Sequence, residues 1–401
     1  MRGLLVGHLA IIGGSFFANL VAARTMGPAG RGELAVFLQV SYILSAVAMV
    51  GIDRAYLVAH SESPSVRAAA REIYGLVRIA VGVILAGCLL TSIALTPWVR
   101  SAWLYGAALT VLVLGNGLIA STRTVAVATN SARLYRRATV VAQIVLIGLV
   151  GVFATAGAGS PVIWLFGYGV AQCLPPLVGL FLRREPAGDG PAQALDSTSI
   201  RRLGWRLLAG TLANMAMLRS DRLLLPWLAS YQQVGIYVVA ATFSEFMVLP
   251  VQSAVDACVP RWRAAFQAGS LRAGKIILIA LGYALAATVV LASLGDFLVM
   301  AFGSAYAESV RLLLPLSGAA GLWCVNRVAV GLLVAMGRAR GVLCSDVPAM
   351  VLTVGGCLVL IPSHGALGAA LASAAGYGAA AAVAVALCRR DASKRLVGGG
   401  L

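Results

Sequence analysis

The stretch ATVVAQIVLIGLVGVFATAGAGSPVIWLFGYGVAQCLPPLVGLFL, residues Ala138–Leu182, contains no Asp, Glu, Lys or Arg. It is long enough for two membrane-spanning helices of about 20 residues each. Gly157–Pro161 supplies a turn between them. A second uncharged run, Val347–Cys388, has the same plan, with a turn at Pro362–Gly365. Hydrocarbon offers no partner for a backbone amide, so each half of each run is predicted to span as a helix.

The rest of the chain repeats this apolar pattern. Of its 401 residues, 60% are hydrophobic and 11% are charged, and the mean hydropathy is +0.91. Soluble domains carry about 25% charged residues, so this composition is typical of a chain that lies in lipid. Alternation of polar and apolar residues with period two is absent, which excludes a transmembrane β-barrel. Twelve spans are predicted, at Gly3–Ala23, Glu33–Val58, Ile73–Leu95, Ala102–Thr129, Ala138–Ala156, Val162–Leu182, Leu203–Trp227, Val234–Ala257, Gly274–Leu294, Glu308–Met336, Gly341–Ile361 and Gly365–Cys388.

Three landmarks recur in the two halves of the chain at a nearly constant offset. They are Gly32–Val36 with Gly235–Val239, Ala128–Arg133 with Ala335–Arg340, and Gly167–Gly169 with Gly376–Gly378. Six spans per half bring both halves into the membrane from the same side, which indicates parallel repeats about an axis along the membrane normal. We therefore predict an all-α polytopic membrane protein in which two six-helix bundles enclose a central cavity. The predicted bundles are 1–182 and 203–388, with a cytoplasmic linker at 183–202 and a cytoplasmic tail at 389–401.

Lys and Arg determine the predicted orientation. Most of the 31 basic residues fall in loops that share one side of the membrane, and the loops of the other side are nearly free of them. Because basic loops stay in the cytoplasm, both termini are predicted to be cytoplasmic. The same bias explains the formal net charge of +17, so the charge indicates topology and contact with lipid rather than nucleic-acid binding. The seven cysteines are scattered singly, and their spacing supports neither a metal site nor a disulfide framework.

Several short motifs resemble those of a known family. AARTMGPAGRG (Ala22–Gly32) resembles the first-loop signature of bacterial polysaccharide flippases. SDRLLL (Ser220–Leu225) followed by VGIY (Val234–Tyr237) resembles their signature in the seventh and eighth helices, and GALGAA (Gly365–Ala370) resembles the start of their last helix. The resemblance extends over the whole chain and is to the Wzx-type branch of the multidrug/oligosaccharidyl-lipid/polysaccharide exporter superfamily.

This resemblance implies a function, a substrate and a place in the cell. Members of the branch are alternating-access carriers that translocate undecaprenyl-pyrophosphate-linked oligosaccharides across the bacterial inner membrane for polysaccharide export. The implied partners are the polyprenyl-linked glycan, membrane lipids, and a glycan polymerase and glycosyltransferases. No cofactor and no nucleic acid is expected.

Charged residues inside the predicted spans are candidate functional residues, because an ionisable side chain in the membrane needs a cavity or a partner. Arg219 and Arg222 are three positions apart in the seventh span and share a face, whereas Asp221 is predicted to point elsewhere. Two guanidinium groups on one face suit a lipid pyrophosphate. The structural alternative is that both arginines extend toward the outer interface and that Asp221 pairs locally.

Three further arginines are candidates for the substrate-binding wall. Arg327 in the tenth span and Arg123 in the fourth have similar predicted depths, and Arg24 ends the first span. The alternative roles are a contact with a neighbouring carbonyl for Arg327, an interfacial anchor for Arg123 and extension to the interface for Arg24.

Carboxylates in the spans are candidates for ion coupling. Glu245 lies midway along the eighth span, Asp256 lies near the inner end of the same span, and Asp221 is the third candidate. Burial can raise the pKa of a carboxylate, and coupling to a proton gradient then becomes possible. The alternative is a structural ion pair with one of the arginines.

Two other functions compete with the flippase. A multidrug antiporter of the same superfamily would have a cavity dominated by carboxylates and aromatic residues, whereas arginine outnumbers acids in the seventh and tenth spans. A membrane glycan polymerase or ligase would present a large outer loop with catalytic residues, and no predicted outer loop concentrates His, Asp or Glu. We therefore expect a transporter and not an enzyme.

Overall fold

The computed structural model describes residues 2–59, 66–95, 102–129, 131–182 and 197–398, with side chains over most of these ranges from Gly13 onward. Within these ranges the chain is helical and contains no β-strand, which confirms the predicted all-α class. The helices are α1 (Arg2–Met49), α2 (Ile52–Ala59), α3 (Val66–Leu95), α4 (Ala102–Ala128), α5 (Ala132–Thr155), α6 (Pro161–Leu182), α7 (Ser197–Leu228), α8 (Tyr231–Gln267), α9 (Ala273–Ala292), α10 (Gly295–Phe302), a 3₁₀ helix (Ser304–Ser309), α11 (Val310–Ala335) and α12 (Ala339–Gly398).

Helices α1 and α12 are each interrupted by a glycine. Gly27 has φ 67° and ψ −178°, and Gly365 has φ 55° and ψ −131°, conformations that glycine adopts without steric cost. Pro28 follows the first break, and proline suits the first turn of a helix because that turn needs no N–H from it. After the second break, the Gln233 side chain accepts a hydrogen bond from the Ala366 amide at 3.0 Å. New helical segments therefore begin at 28 and 366.

A third interruption corrects a predicted span. The span predicted at Glu33–Val58 is broken after Met49, where Val50 and Gly51 have φ of 49° and 65°. The backbone at this point lies against the start of α7: a Cβ on Gly51 would be 2.5 Å from the Gly204 carbonyl oxygen, and a Cβ on Gly204 would be 2.5 Å from the Val50 oxygen. Only glycine permits this approach, and hydropathy cannot detect it.

Seven helices in the described ranges are long and apolar enough to cross a membrane, which agrees with a multi-pass membrane protein. An eighth is added if the bent pair Ala68–Val77 and Gly82–Thr91 is counted as one span. Two of the seven, Gly13–Met49 and Cys344–Arg389, contain the breaks at Gly27 and Gly365. The predicted seventh span is not among them, and α7 carries five arginines and an aspartate. The count of twelve spans stays a prediction.

The chain forms two compact units, 1–212 and 213–401, and their boundary lies inside α7. The core of the first unit joins α1, α4, α5 and α6 around the fully buried Trp164, with the Phe37 and Tyr105 rings stacked at 4.4 Å. In the second unit α11 lies at the centre and packs on α8, α9 and α12. The predicted bundle boundaries and the central cavity stay predictions, and residues 183–196 of the predicted linker lie outside the described residues.

Candidate functional site

A cavity of about 260 Å³ opens within the second unit. Its walls come from α7, α8, α11 and the part of α12 that follows the break at Gly365. Apolar side chains form much of the wall. The polar and aromatic side chains that line it are Arg219, Asp221, Arg222, Tyr237, Ser244, Glu245, Gln252, Trp323, Ser373 and Tyr377.

Arg222 is the buried cation of this cavity. Arg222 is 7% exposed. A charge that is removed from water to this extent needs an oppositely charged partner. The partner is Glu245 on α8, whose Oε1 lies 2.5 Å from Arg222 Nη2. Arg222 Nε is buried and has no hydrogen-bond partner within the described residues. One donor of the guanidinium is therefore buried and unsatisfied among the described residues.

Arg219 lies one helical turn before Arg222 and faces the same carboxylate. Its Nη1 lies 3.7 Å from Glu245 Oε1, and its side chain is 29% exposed. Glu245 itself is half exposed, at 51% of its side chain. The sequence predicted the shared face of the two arginines, and the structure brings them together with Glu245. The structural ion pair that was one alternative for Glu245 is present.

Asp221 also lines the cavity, which corrects the expectation that it points elsewhere. It is 3% exposed and accepts hydrogen bonds from the Tyr237 hydroxyl at 2.5 Å, the Ser373 hydroxyl at 3.3 Å and the Arg222 amide at 2.7 Å. The carboxylate thus joins α7 to α8 and α12. Helical spacing failed here because the neighbouring helices enclose α7 on more than one face.

Two aromatic residues that sequence analysis did not single out as site residues complete the wall. The rings of Trp323 and Tyr377 are 5.5 Å apart and inclined by 47°, and each residue is 8% exposed. Tyr377 is the middle residue of the repeated Gly-Tyr-Gly landmark, and this repeat could have indicated it as a site residue. Its counterpart Tyr168, also 8% exposed, lies in the electrostatic field of Arg31 in the first unit.

Arg327 does not line this cavity, although it was predicted to share a wall with Arg219 and Arg222. Its Nη2 lies 3.6 Å from Asp256 Oδ1, and it also interacts electrostatically with Asp346, which is 7% exposed. Asp256 is eleven residues after Glu245 on α8, about 16 Å along a helix. The charges therefore form two separate groups along α8. Substrate binding by Arg327 and ion coupling by Asp256 stay predictions.

In the first unit the structure places the predicted Arg24 and Arg123 at exposed positions. Among the described arginines of this unit, Arg31 is the buried one, at 2% exposed, and it donates to Asn19 Oδ1 at 2.6 Å. Arg31 belongs to the same Gly-rich motif as Arg24, so the motif indicated this region of the chain but not which arginine is buried. Among the described residues no group of three or more His, Cys, Asp or Glu side chains could hold a metal ion.

The described part of the chain is thus a multi-pass helical membrane protein with paired charges in an apolar cavity. No family model matches the sequence, and no curated protein matches it. Solved structures do match. A multidrug resistance MATE family transporter of the MOP superfamily, in an inward-facing conformation, superposes with a TM-score of 0.72 at 16% identity over 96% of this chain and 95% of that one.

Two further structures extend this likeness. The lipid II flippase MurJ, in an inward closed conformation, gives a TM-score of 0.65 at 11% identity over 96% of this chain and 87% of its own. A MOP superfamily transporter from Pyrococcus furiosus, described as having a binding pocket of reverse polarity, gives 0.60 at 17% identity over 98% and 94%. The chain therefore has the fold of MOP superfamily transporters.

Proposed function

We propose that this protein is a carrier that moves undecaprenyl-pyrophosphate-linked oligosaccharide across the bacterial inner membrane by alternating access. The observation that carries the proposal is the buried Arg222, whose Nε has no hydrogen-bond partner among the described residues, beside Arg219 in one cavity. A lipid pyrophosphate carries about two negative charges, and arginine binds such oxyanions through parallel donors. The fold is shared with a lipid II flippase, among other transporters.

The size of the cavity limits what it would hold. Drug-sized ligands occupy pockets of about 300–1,000 Å³, and this cavity has about 260 Å³. It would therefore take the pyrophosphate and the sugar next to it, rather than a whole oligosaccharide. The rings of Trp323 and Tyr377 offer an apolar face for that sugar.

A multidrug antiporter is the second candidate, and two observations favour it. MATE transporters share the fold, and the cavity contains the half-exposed carboxylate of Glu245 beside aromatic rings. A cation at Glu245 would, however, approach Arg219 and Arg222 within a few ångströms, and it would be repelled by both. Asp221 is already occupied by three donors. The electrostatics of the cavity therefore support an anionic substrate better.

The remaining predicted residues enter the proposal with separate roles. Arg24 and Arg123 are exposed and stay candidate substrate-binding residues. Arg327 on α11 with Asp256 on α8 would form a second charged group. Glu245, Asp221 and Asp256 stay the ion-coupling candidates. The partners would be membrane lipids, a glycan polymerase and glycosyltransferases, and the role would be transport rather than glycan synthesis.

The proposal is tested with the Arg219→Ala/Arg222→Ala double variant expressed in a strain that lacks the chromosomal copy. We expect loss of surface glycan and accumulation of lipid-linked precursor in the inner leaflet, with unchanged abundance in the membrane. Arg133→Ala, at an exposed position of α5, is the matched control and should export normally. Normal export by the double variant would exclude the proposed site. Increased sensitivity to cationic drugs, with normal glycan, would instead support the antiporter.

A further inference from the structure

Glu245 occupies the position that an anionic substrate would take on the two arginines. Its Oε1 contacts both Arg222 Nη2, at 2.5 Å, and Arg219 Nη1, at 3.7 Å. We propose that Glu245 is a displaceable counter-ion, which yields Arg219 and Arg222 to the phosphate of the substrate and takes up a proton as it leaves. This inference rests on the proposed function, because it concerns how that site binds its ligand.

The two carboxylates of the cavity differ in how easily they can leave. Asp221 is buried and holds three hydrogen bonds, so its displacement would strand the Tyr237 and Ser373 hydroxyls. Glu245 is half exposed, so its side chain can turn away from the arginines within the cavity, and the donors that it gives up, on Arg219 and Arg222, are those that the phosphate takes. We therefore assign the exchange to Glu245 and a bracing role to Asp221.

The position that Glu245 would vacate has the donors that a phosphate needs. Arg222 would offer Nη2, released by Glu245, together with Nε, which is buried and without a partner within the described part of the chain. These two N–H groups point in parallel along one edge of the guanidinium and bind two oxygens at once. Arg219 adds a third donor from the preceding turn of the helix. A pyrophosphate carries more charge than one carboxylate, so it competes for these donors.

The proton follows from the charges around Glu245. Arg219, Asp221 and Arg222 face it from α7, Tyr377 from α12 and Tyr237 from its own helix, while α11 presents the uncharged Trp323. In the ion pair, two cations favour the carboxylate form. After exchange these cations are neutralised by phosphate, and both the phosphate and Asp221 repel a second negative charge. Glu245 then accepts one proton from the buffered solvent, which forms the O–H bond of the neutral acid, and no other covalent bond is made or broken.

The exchange is tested on the purified full chain in detergent, with inorganic pyrophosphate and geranyl pyrophosphate as probes. Calorimetric titrations at one pH in buffers of different ionisation enthalpy give the number of protons taken up per ligand bound. For the wild type we expect binding with net proton uptake. For Glu245→Gln we expect about tenfold tighter binding and the uptake reduced to that of the probe itself. Glu245→Ala should behave alike, and Glu308→Gln, at an exposed position of the 3₁₀ helix, should match the wild type.

The outcomes separate this inference from the function beneath it. Binding that requires Arg222 but is equal or weaker in Glu245→Gln, with unchanged proton uptake, overturns the counter-ion and leaves the anion site in place. No binding of either probe by folded wild type and folded Glu245→Gln contradicts the anion site itself. Tighter binding of the probe by Glu245→Gln, with proton uptake reduced to that of the probe itself, supports both the anion site and the displaceable counter-ion.

Discussion

The Nη2 atom of Arg222 lies 2.5 Å from Oε1 of Glu245, and the two side chains differ sharply in exposure, at 9% and 51%. The pair is therefore asymmetric. The cation has no access to water and depends on its partner, whereas the carboxylate can be hydrated without the cation. With Arg219 and Asp221, the cavity contains two positive and two negative groups, so any charged ligand must first separate an existing pair.

The buried hydrogen bond between Tyr237 and Asp221 should contribute strongly to stability. Tyr237→Phe removes the closest donor to a carboxylate that is 3% exposed. We expect the free energy of unfolding to fall by about 1–3 kcal/mol, measured from thermal unfolding of the purified protein in detergent. Ser373→Ala, which removes the longer bond at 3.3 Å, should cost less. Equal effects of Tyr237→Phe in the wild type and in Asp221→Asn would contradict the coupling.

The close backbone contact between Gly51 and Gly204 of α7 should tolerate no side chain at either position. Gly51→Ala introduces strain at φ 65° and brings a Cβ to 2.5 Å from the Gly204 carbonyl. Gly269→Ala is the matched control, since φ is 70° and nothing lies within 4 Å. We expect the control to lose about 1 kcal/mol and Gly51→Ala to lose clearly more, as a lower unfolding temperature. Similar losses in both would mean that the backbone contact is not tight.

Arg327 interacts with two acids, Asp256 and Asp346, and we expect these interactions to contribute unequally to the abundance of the protein in the membrane. Asp346 is buried, and Asp256 is exposed. Arg327→Ala leaves the Asp346 carboxylate buried without its cation, so we expect low abundance in the membrane that Asp346→Asn partly restores in the double variant. Asp256→Asn alone should leave abundance near wild type, as exposed pairs contribute about 0–1 kcal/mol. Equal loss from Asp256→Asn and Arg327→Ala would point to a different arrangement.

The predicted orientation can be tested with reporter fusions. Fusions at Ser63, Gly188 and Gly269 should report the cytoplasm, and fusions at Pro161 and Ser363 the periplasm, because basic loops remain inside. Alkaline phosphatase and green fluorescent protein give opposite signals on the two sides. A periplasmic signal at Gly188 would contradict the six-plus-six arrangement.

Local patterns in the sequence predicted the helical class, the turn near Gly365 and the shared face of Arg219 and Arg222. These depend on hydropathy, glycine and helical period, all of which act over a few residues. The partners of those arginines could not be predicted, because Glu245 comes from another helix and its approach depends on how α7 and α8 pack. Arg327 was predicted to line the same cavity from its position within a span, at a depth similar to that of Arg123, and depth does not give the direction in which a side chain points.

The glycine break in α12 has a consequence for the angular position of the cavity wall. Each residue of an α-helix turns by about 100° around its axis. Because regular helix stops at Gly365 and restarts at Ala366, whose amide is held by Gln233, the directions of Ser373 and Tyr377 are counted from 366 and not from Ala339. One residue inserted between 366 and 373 would rotate both side chains away from Asp221. An insertion of one residue before Gly365 would change only the helical segment that precedes the break. The directions of Ser373 and Tyr377 around the helix axis therefore do not depend on the length of that segment.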